Sequence, residues 1–166
     1  MRRVSAETSN RRDDRRGRGP TWRTLSWSTS CSGAPHPCCL TTLAPGGAPY
    51  SVVVWCAREG DRFAVNAADS RWLRNLRRDP RVSFVVVDTK DIRRHVGVDG
   101  VVAKIEPDRD YAHIDSLSLV YECRPYAYSR PEEVPRFRIE PEPTRIRTVD
   151  ISPPAGGTPA TEGSPS

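Results

Sequence analysis

The sequence predicts a mainly β fold, a small Greek-key barrel of six strands with two or three short helices. Between residues 34 and 151, segments rich in Val, Ile, Thr and aromatic residues alternate with turns that contain Gly or Pro. Only two segments show clear helical spacing. Because antiparallel hairpins dominate the order of segments, a barrel is favoured over a parallel α/β sheet.

The 166 residues suffice for one domain, which we place at residues 31–151. Residues 1–30 contain eight arginines and few aliphatic side chains, a composition that predicts disorder. Residues 152–166 consist almost entirely of Pro, Gly, Ser, Thr and Ala, which predicts a flexible tail.

The first strands form a meander. The segments CCLTTLA, YSVVVWCA and FAVNA are joined by the turns PGGAP and REGDR, and Gly in such turns is typical of hairpins. A short helix follows in DSRWLRNLRRDP, where Asp69 or Ser70 can cap the start, Leu73 and Leu76 face the core, and Pro80 ends the helix.

The second half of the domain repeats this alternation. RVSFVVVD and RRHVGVDGVVAKIE are predicted strands, and Gly97 and Gly100 in the second of them indicate a bulge or a bend. Pro107 is expected near the first position of a second helix, whose buried side would carry Ile114, Leu117 and Tyr121. PRFRIEPEPTRIRTVD is predicted as a closing strand interrupted by its prolines.

Charge argues against nucleic acid as a partner. The net charge of +5 belongs entirely to residues 1–30, so the remaining residues are neutral. Arginine outnumbers lysine by 24 to 2, as is typical of a GC-rich, actinobacterial-type genome. Neither the five cysteines nor the three histidines have zinc-site spacing, and we predict no metal. We expect no membrane segment, and the odd cysteine count favours a cytoplasmic protein.

The arginines of the first helix allow two interpretations. Arg71, Arg74 and Arg78 share one side of the helix, whose start offers free backbone N–H groups and the Ser70 hydroxyl. These groups could hold a phosphate, or the arginines could form an ordinary solvated surface. Their spacing does not decide between the two.

Four segments of the domain carry a resemblance to known proteins: HPCCLTTLAPGGAPYSVVVW, GDRFAVNAADSRWLRNLRRDPRVSFVVVD, HVGVDGVVAKIEPD and HIDSLSLVYECRPYAY. In order and spacing they resemble the pyridoxamine 5'-phosphate oxidase-like family of flavin- and deazaflavin-binding split barrels, and within it the branch of F420-dependent reductases. The resemblance implies a homodimer of six-stranded split barrels, with the cofactor between the subunits. Because family members usually open with a helix, residues 1–30 could instead be a wrongly assigned start.

The resemblance also implies a set of cofactor-binding residues. Ser70 and Arg71 match the first two positions of the Ser-Arg-Lys phosphate motif of the flavin-binding oxidases, and Trp72 stands where the lysine is expected. Arg74 is the candidate substitute for that lysine. The other expected contacts are Val52, Val54 and Trp55 along the ring, Asn66 and Ala67 near the ribityl chain, and His95 from the neighbouring strand.

The function implied is F420-dependent hydride transfer to a small organic acceptor, with FMN as the alternative cofactor. A second possibility is a non-catalytic carrier of a flavin, deazaflavin or tetrapyrrole. The sequence names no catalytic acid, base or nucleophile, since the motifs of nucleotide-binding loops and hydrolases are absent. Asp88, Tyr126 and Tyr128 are candidates only for lining the substrate side.

Overall fold

The computed structural model describes residues 35–59, 62–130 and 132–151, which form nine regular elements. The terminal segments predicted to be disordered, mis-assigned or flexible lie outside these residues. The elements, in chain order, are β1 (Cys38–Leu43), β2 (Pro49–Val54), β3 (Cys56–Glu59), β4 (Arg62–Ala68), α1 (Arg71–Arg78), β5 (Arg81–Val87), β6 (Arg94–Pro107), α2 (Ala112–Tyr121) and β7 (Arg136–Asp150).

The strands form one antiparallel sheet in the order β2-β1-β5-β6-β7-β4-β3, which confirms the mainly β prediction. β2 and β3 lie at opposite ends of this order, yet only Trp55 separates them in the chain. The sheet therefore curves until its two ends meet at Trp55, consistent with a split barrel. The predicted second strand is divided at this residue, and this division accounts for seven strands instead of six.

Alternating side chains of the strands enclose the core. β5 shows a strict alternation of buried and less buried residues, because successive side chains of a strand point to opposite sides. Phe63 and Phe84 meet edge to face inside, with ring centroids 5.1 Å apart. The hairpin between β1 and β2 turns at Gly46 and Gly47, whose φ angles of 85° and 87° favour glycine.

Helix α1 begins and ends as predicted. The Ser70 hydroxyl caps its start by accepting a hydrogen bond from the Leu73 N–H (3.4 Å). Leu73 and Leu76 are buried in the core, while the helix's arginines are exposed. Asn75 is also buried and donates to the Thr42 hydroxyl (3.0 Å), which ties the helix to β1.

Two predictions about the second half are wrong. Pro107 ends β6 instead of beginning a helix, and α2 starts at Ala112 after Tyr111, whose φ is 56°. β7 is continuous through Pro141 and Pro143. Both prolines lie beside positions where the register between β6 and β7 shifts, and both follow the four β7 residues that pair with β4, so they occupy positions where a strand tolerates proline. The bulge expected at Gly100 is present, since the register shifts between Asp99 and Gly100.

No helix within the described ranges is long and apolar enough to cross a membrane.

Candidate functional site

A cavity of about 550 Å³ opens where the sheet's two ends meet the helices. It lies among the end of β2, the end of β4, the start of α1, helix α2 and the segment that follows α2. The lining residues are Val53, Val54, Trp55, Asn66, Ala67, Ala68, Ser70, Trp72, Ile114, Leu117, Glu122, Tyr126, Tyr128 and Arg136. This volume is within the range of small-molecule sites, and apolar and aromatic side chains predominate.

Aromatic side chains form the wall beside α2. The Trp55 ring stacks on Tyr121 at a centroid distance of 5.2 Å and meets the edge of Tyr126 at 6.4 Å. Tyr128 continues the wall from Tyr126 (5.3 Å) and is 61% exposed. Flat aromatic surfaces of this kind suit the stacking of a planar ring system.

The hydroxyl of Tyr121 holds this wall to the barrel. It donates to the His36 carbonyl (2.7 Å) and accepts from the Cys56 N–H (3.1 Å), so it joins α2 to the N-terminal side of β1 and to β3. Burial of the ring raises the pKa of Tyr121 well above its ordinary value. The hydroxyl therefore remains protonated and serves as a structural contact.

The start of α1 forms another part of the cavity. Ser70 and Trp72 line it, and the first N–H groups of a helix have no acceptor within the helix. These N–H groups and the positive end of the helix dipole attract anions. Trp72 is only 7% exposed and belongs to the hydrophobic core, so an apolar surface stands where the resemblance leads one to expect a lysine.

The α1 arginines, by which we mean Arg71, Arg74, Arg77 and Arg78, do not line the cavity. Arg71 lies over the Tyr50 ring, 4.6 Å from its centroid, and Arg74 forms an ion pair with Asp69 (3.1 Å). Arg77 lies over Phe137 at 4.5 Å. The side chains that could have reached a phosphate thus have local partners in this arrangement.

A polar network crosses the base of the cavity; it consists of the buried Asn66, Asp108 and His113 and the partly buried Arg136 and Tyr126. Arg136 donates through Nε to the Asn66 side-chain oxygen (2.6 Å) and through Nη1 to the Tyr126 hydroxyl (2.9 Å). The Asn66 amide nitrogen then donates to Asp108 (2.9 Å) and to His113 Nδ1 (3.2 Å). Every hydrogen-bonding position of the Asn66 side-chain nitrogen is used.

Asp108 connects the network to α2. Its two carboxylate oxygens accept from the backbone N–H groups of His113 and Ile114, each at 3.0 Å. They take the place of a side-chain cap, because the residue before the helix, Tyr111, provides none. Residues from β4, β7 and α2 are therefore held in one fixed arrangement.

His113 lies on the far side of the network, beside a smaller cavity of about 280 Å³. Because its Nδ1 accepts from Asn66, the ring proton belongs on Nε2, which is buried without a partner among the described residues. Burial is the main cause that lowers the pKa of His113, and the positive charge of Arg138 adds to the effect. Both features favour a neutral imidazole.

The structure brings together six of the ten residues named from the resemblance: Val54, Trp55, Asn66, Ala67, Ser70 and Trp72. Val52, Arg71 and Arg74 lie nearby on β2 and α1 but outside the lining. His95 lies on β6, where it pairs with Val87 of β5 and Val149 of β7. Strand β7 therefore separates it from β4, which lines the cavity. All ten assignments remain predictions.

Of the substrate-side candidates, Tyr126 and Tyr128 line the cavity, whereas Asp88 is buried elsewhere in an ion pair with Arg94 (2.5 Å). Sequence reasoning missed Arg136 and Glu122. Arg136 begins β7 inside a period-two pattern, and nothing in that pattern distinguishes it from the other arginines of the strand. No group of three or more His, Cys, Asp or Glu side chains within the described ranges could hold a metal ion.

Comparison with known proteins agrees with this architecture. The family model for pyridoxamine 5'-phosphate oxidase matches residues 31–150. A solved F420 reductase is 26% identical, with a TM-score of 0.62 over 68% of this chain and 90% of that chain. A conserved hypothetical protein from Mycobacterium tuberculosis is 25% identical, with a TM-score of 0.56 over 72% of this chain and 80% of that one.

An FAD-binding protein from Mesorhizobium loti shares the fold, with 19% identity and a TM-score of 0.50 over 71% of this chain and 86% of that one. The search of curated proteins found no match. Because the family model spans most of the chain and the strand order agrees with a split barrel, the chain belongs to the pyridoxamine 5'-phosphate oxidase family, which includes oxidoreductases.

Proposed function

We propose that the protein is an F420-dependent oxidoreductase that transfers a hydride between the reduced cofactor and a small organic acceptor. The observation that carries this proposal is one cavity with aromatic walls and a helix N-terminus at its edge. The similarity to an F420 reductase supports the choice of deazaflavin, and FMN is the alternative. In both cases the ligand would combine a planar ring with a phosphate.

The residues present fit such a ligand. The ring of Trp55, which is stacked on Tyr121, and the buried Trp72 provide apolar surface for a ring system. Ser70 and the first N–H groups of α1 provide donors for a phosphate. Arg71 reaches this phosphate only if it leaves the ring of Tyr50, and the lysine of the flavin-binding oxidases is replaced by Trp72.

When bound, F420 or FMN supplies the hydride chemistry itself. The protein's part is to bind, orient and exclude water. Ser70 and the start of α1 would hold the phosphate end, and Asn66, fixed by Arg136 and Asp108, would present a rigid polar edge to the ligand. Trp55 and Trp72 would exclude water from its ring system. Glu122 is occupied by Arg124 and Tyr128, so it is not a free proton donor.

We also propose that the protein is a homodimer in the cytoplasm, with the cavity completed by the second subunit. Val53 supports this arrangement, because it lies on the edge strand β2, lines the cavity and is 74% exposed. Light scattering should report twice the mass of one chain, and Val53→Asp should shift the protein towards the monomer. A wild-type monomer that still binds cofactor would contradict the dimer.

Binding provides the direct test of the proposed function. Purified protein is titrated with oxidised F420 and with FMN, and the change in cofactor fluorescence is followed. One of the two should bind with micromolar affinity, and Arg71→Ala should weaken that binding. Arg81→Ala is the matched control, since Arg81 pairs with Asp79 away from the cavity. Failure to bind either cofactor would refute the proposal.

A carrier without catalytic activity is the second candidate. It is favoured by Trp72 at the expected lysine position and by the absence of an unpaired acidic side chain among the residues that line the cavity. Such a carrier would hold a flavin, a deazaflavin or a tetrapyrrole. Cofactor oxidation that depends on an added quinone, nitroaromatic compound or enone supports the enzyme, whereas tight binding without turnover supports the carrier.

A further inference from the structure

Arg136 places a positive charge in the cavity without a carboxylate to balance it. Its hydrogen bonds go to two neutral groups, the Asn66 side-chain oxygen and the Tyr126 hydroxyl. None of the described carboxylates forms an ion pair with it. Elsewhere on β7, by contrast, Arg138 and Arg147 pair directly with acidic side chains.

The acidic side chain of the polar network, Asp108, and that of the cavity lining, Glu122, already accept other hydrogen bonds. Asp108 accepts three N–H donors, from Asn66, His113 and Ile114. Glu122 accepts from Arg124 Nε (3.1 Å) and from the Tyr128 hydroxyl (2.7 Å). Rearrangement of either carboxylate towards Arg136 would break these bonds, so the positive charge persists in the cavity.

The guanidinium group of Arg136 is also held in a defined orientation. It lies over the Tyr126 ring, 4.7 Å from the centroid, and two of its nitrogens have fixed acceptors. The backbone N–H of Tyr126 donates to Asp115 on α2 (2.9 Å), so the ring beneath the guanidinium is itself anchored. The third guanidinium nitrogen, Nη2, donates to no described residue. This atom is not fully buried, so it is accessible.

We propose that Arg136 binds the anionic group of a planar organic acid, with an aromatic or conjugated carboxylate as the substrate class. A guanidinium group with a free edge matches a carboxylate in geometry and charge. The rings of Tyr126 and Tyr128, which also line the cavity, then provide the apolar surface for the flat remainder of the molecule. This inference rests on the proposed function and adds to it the chemical class of the acceptor.

The test compares benzoate with benzamide, which has nearly the same shape but no charge. Binding to the cofactor-free protein is measured by isothermal titration calorimetry and by tryptophan fluorescence, since Trp55 and Trp72 line the cavity. We expect benzoate to bind about tenfold more tightly or better, the worth of a charged hydrogen bond. Equal affinity for the two ligands would overturn the inference.

Variants identify the residue responsible. Arg136→Gln should abolish the preference for benzoate, and Arg136→Lys should retain part of it. The matched control is Arg109→Gln, which removes an exposed arginine outside the cavity and should leave the preference unchanged. If benzoate is still preferred in Arg136→Gln, the inference is wrong.

A second variant keeps Arg136 in place, in case its loss disturbs the fold. Ala68 pairs with Arg136 across β4 and β7 and also lines the cavity. In Ala68→Asp, the new carboxylate lies directly opposite Arg136, so it should pair with the guanidinium and remove the preference for benzoate. A preference that survives this change would contradict the role of Arg136.

The two proposals can fail separately. Protein that binds neither F420 nor FMN but discriminates benzoate from benzamide through Arg136 would refute the oxidoreductase and retain the anion site. Protein that binds a cofactor but does not discriminate the two ligands, with or without the cofactor, would refute the anion site alone.

Discussion

Arg136 lines the cavity, whereas the α1 arginines lie near it without lining it, and the surroundings of the two differ. Arg71 and Arg74 are exposed and have local partners, the Tyr50 ring and the Asp69 carboxylate. Arg136 is partly buried, is held by Asn66 and Tyr126, and has no carboxylate partner among the described residues. The α1 arginines, which are conspicuous in the sequence, are thus loosely held, whereas Arg136 is held in one orientation by its hydrogen bonds.

This difference in surroundings gives the exposed arginines and the network-bound arginine different roles. An exposed arginine with a local partner contributes little to stability and can be recruited by a ligand at small cost. An arginine held by hydrogen bonds in a polar network has already lost conformational freedom, so less entropy is lost when a ligand binds to it. We therefore expect changes in the polar network to affect the fold, and changes in the α1 arginines to affect binding with little effect on the fold.

The largest effect is expected at Asp108, which supports the polar network. Asp108→Ala leaves two backbone N–H groups of α2 and one of the two N–H bonds of the Asn66 amide without an acceptor, and should lower the free energy of unfolding by about 3 kcal/mol. Urea denaturation measures this loss. Asp110→Ala, an exposed neighbour, should stay within about 0.5 kcal/mol of wild type. Equal effects of the two variants would show that the network does not stabilise the fold.

Removal of the α1 cap should have a smaller effect. Ser70→Ala loses the hydroxyl that accepts from the Leu73 N–H and should cost about 1 kcal/mol. The same change removes a donor at the proposed phosphate site, so the preference for FMN over riboflavin should fall. Ser70→Thr keeps a hydroxyl and is expected to preserve both properties. An unchanged preference in Ser70→Ala would remove Ser70 from the phosphate site.

The pH dependence of stability should report the burial of His113. Because the pKa of His113 in the folded state lies below its ordinary value of 6.5, the unfolded chain binds more protons in this range. This contribution to stability is therefore present above about pH 6.5 and is lost as the pH falls below it. His113→Gln should have a flatter profile between pH 5 and 7, because it lacks the imidazole that takes up a proton on unfolding. Identical profiles would contradict a neutral, buried His113.

The smallest effect is expected at Arg74. Its ion pair with Asp69 is more than half exposed on both sides, so Arg74→Ala should change the free energy of unfolding by less than about 0.5 kcal/mol. A fall in cofactor affinity without a change in stability would show that Arg74 leaves Asp69 to bind the phosphate. A large loss of stability would instead show that Arg74, like Arg136, is part of an arrangement that stabilises the fold, and would contradict the distinction between the two.

Local patterns explain which features of the fold were predictable. Ser70, the Leu73 and Leu76 spacing and Pro80 define α1 within a few residues, because capping and helical periodicity depend on near neighbours. The wrong predictions concern prolines. Pro107 is the last residue of β6, and Pro141 and Pro143 lie beside register shifts between β6 and β7 and past the residues that pair with β4. None of these positions can be deduced from the proline itself.

The candidate site was predictable only in part. The resemblance pointed to Trp55, Asn66 and Ser70, and these residues do line one cavity. It could not point to Arg136, since its partner Asn66 is 70 positions away and the two meet only through the pairing of β4 with β7.

By itself, the sequence determined the mainly β class, the position of α1, the hairpin glycines and the family. Periodicity, caps, turns and ordered motifs each depend on residues that lie close together in the chain. Tertiary structure alone decided that the two edge strands of the sheet meet at Trp55, that the α1 arginines have local partners, and that Arg136 lines the cavity without a carboxylate partner among the described residues. These features depend on contacts between distant segments, and the free energy of a charged group depends on the whole of its surroundings.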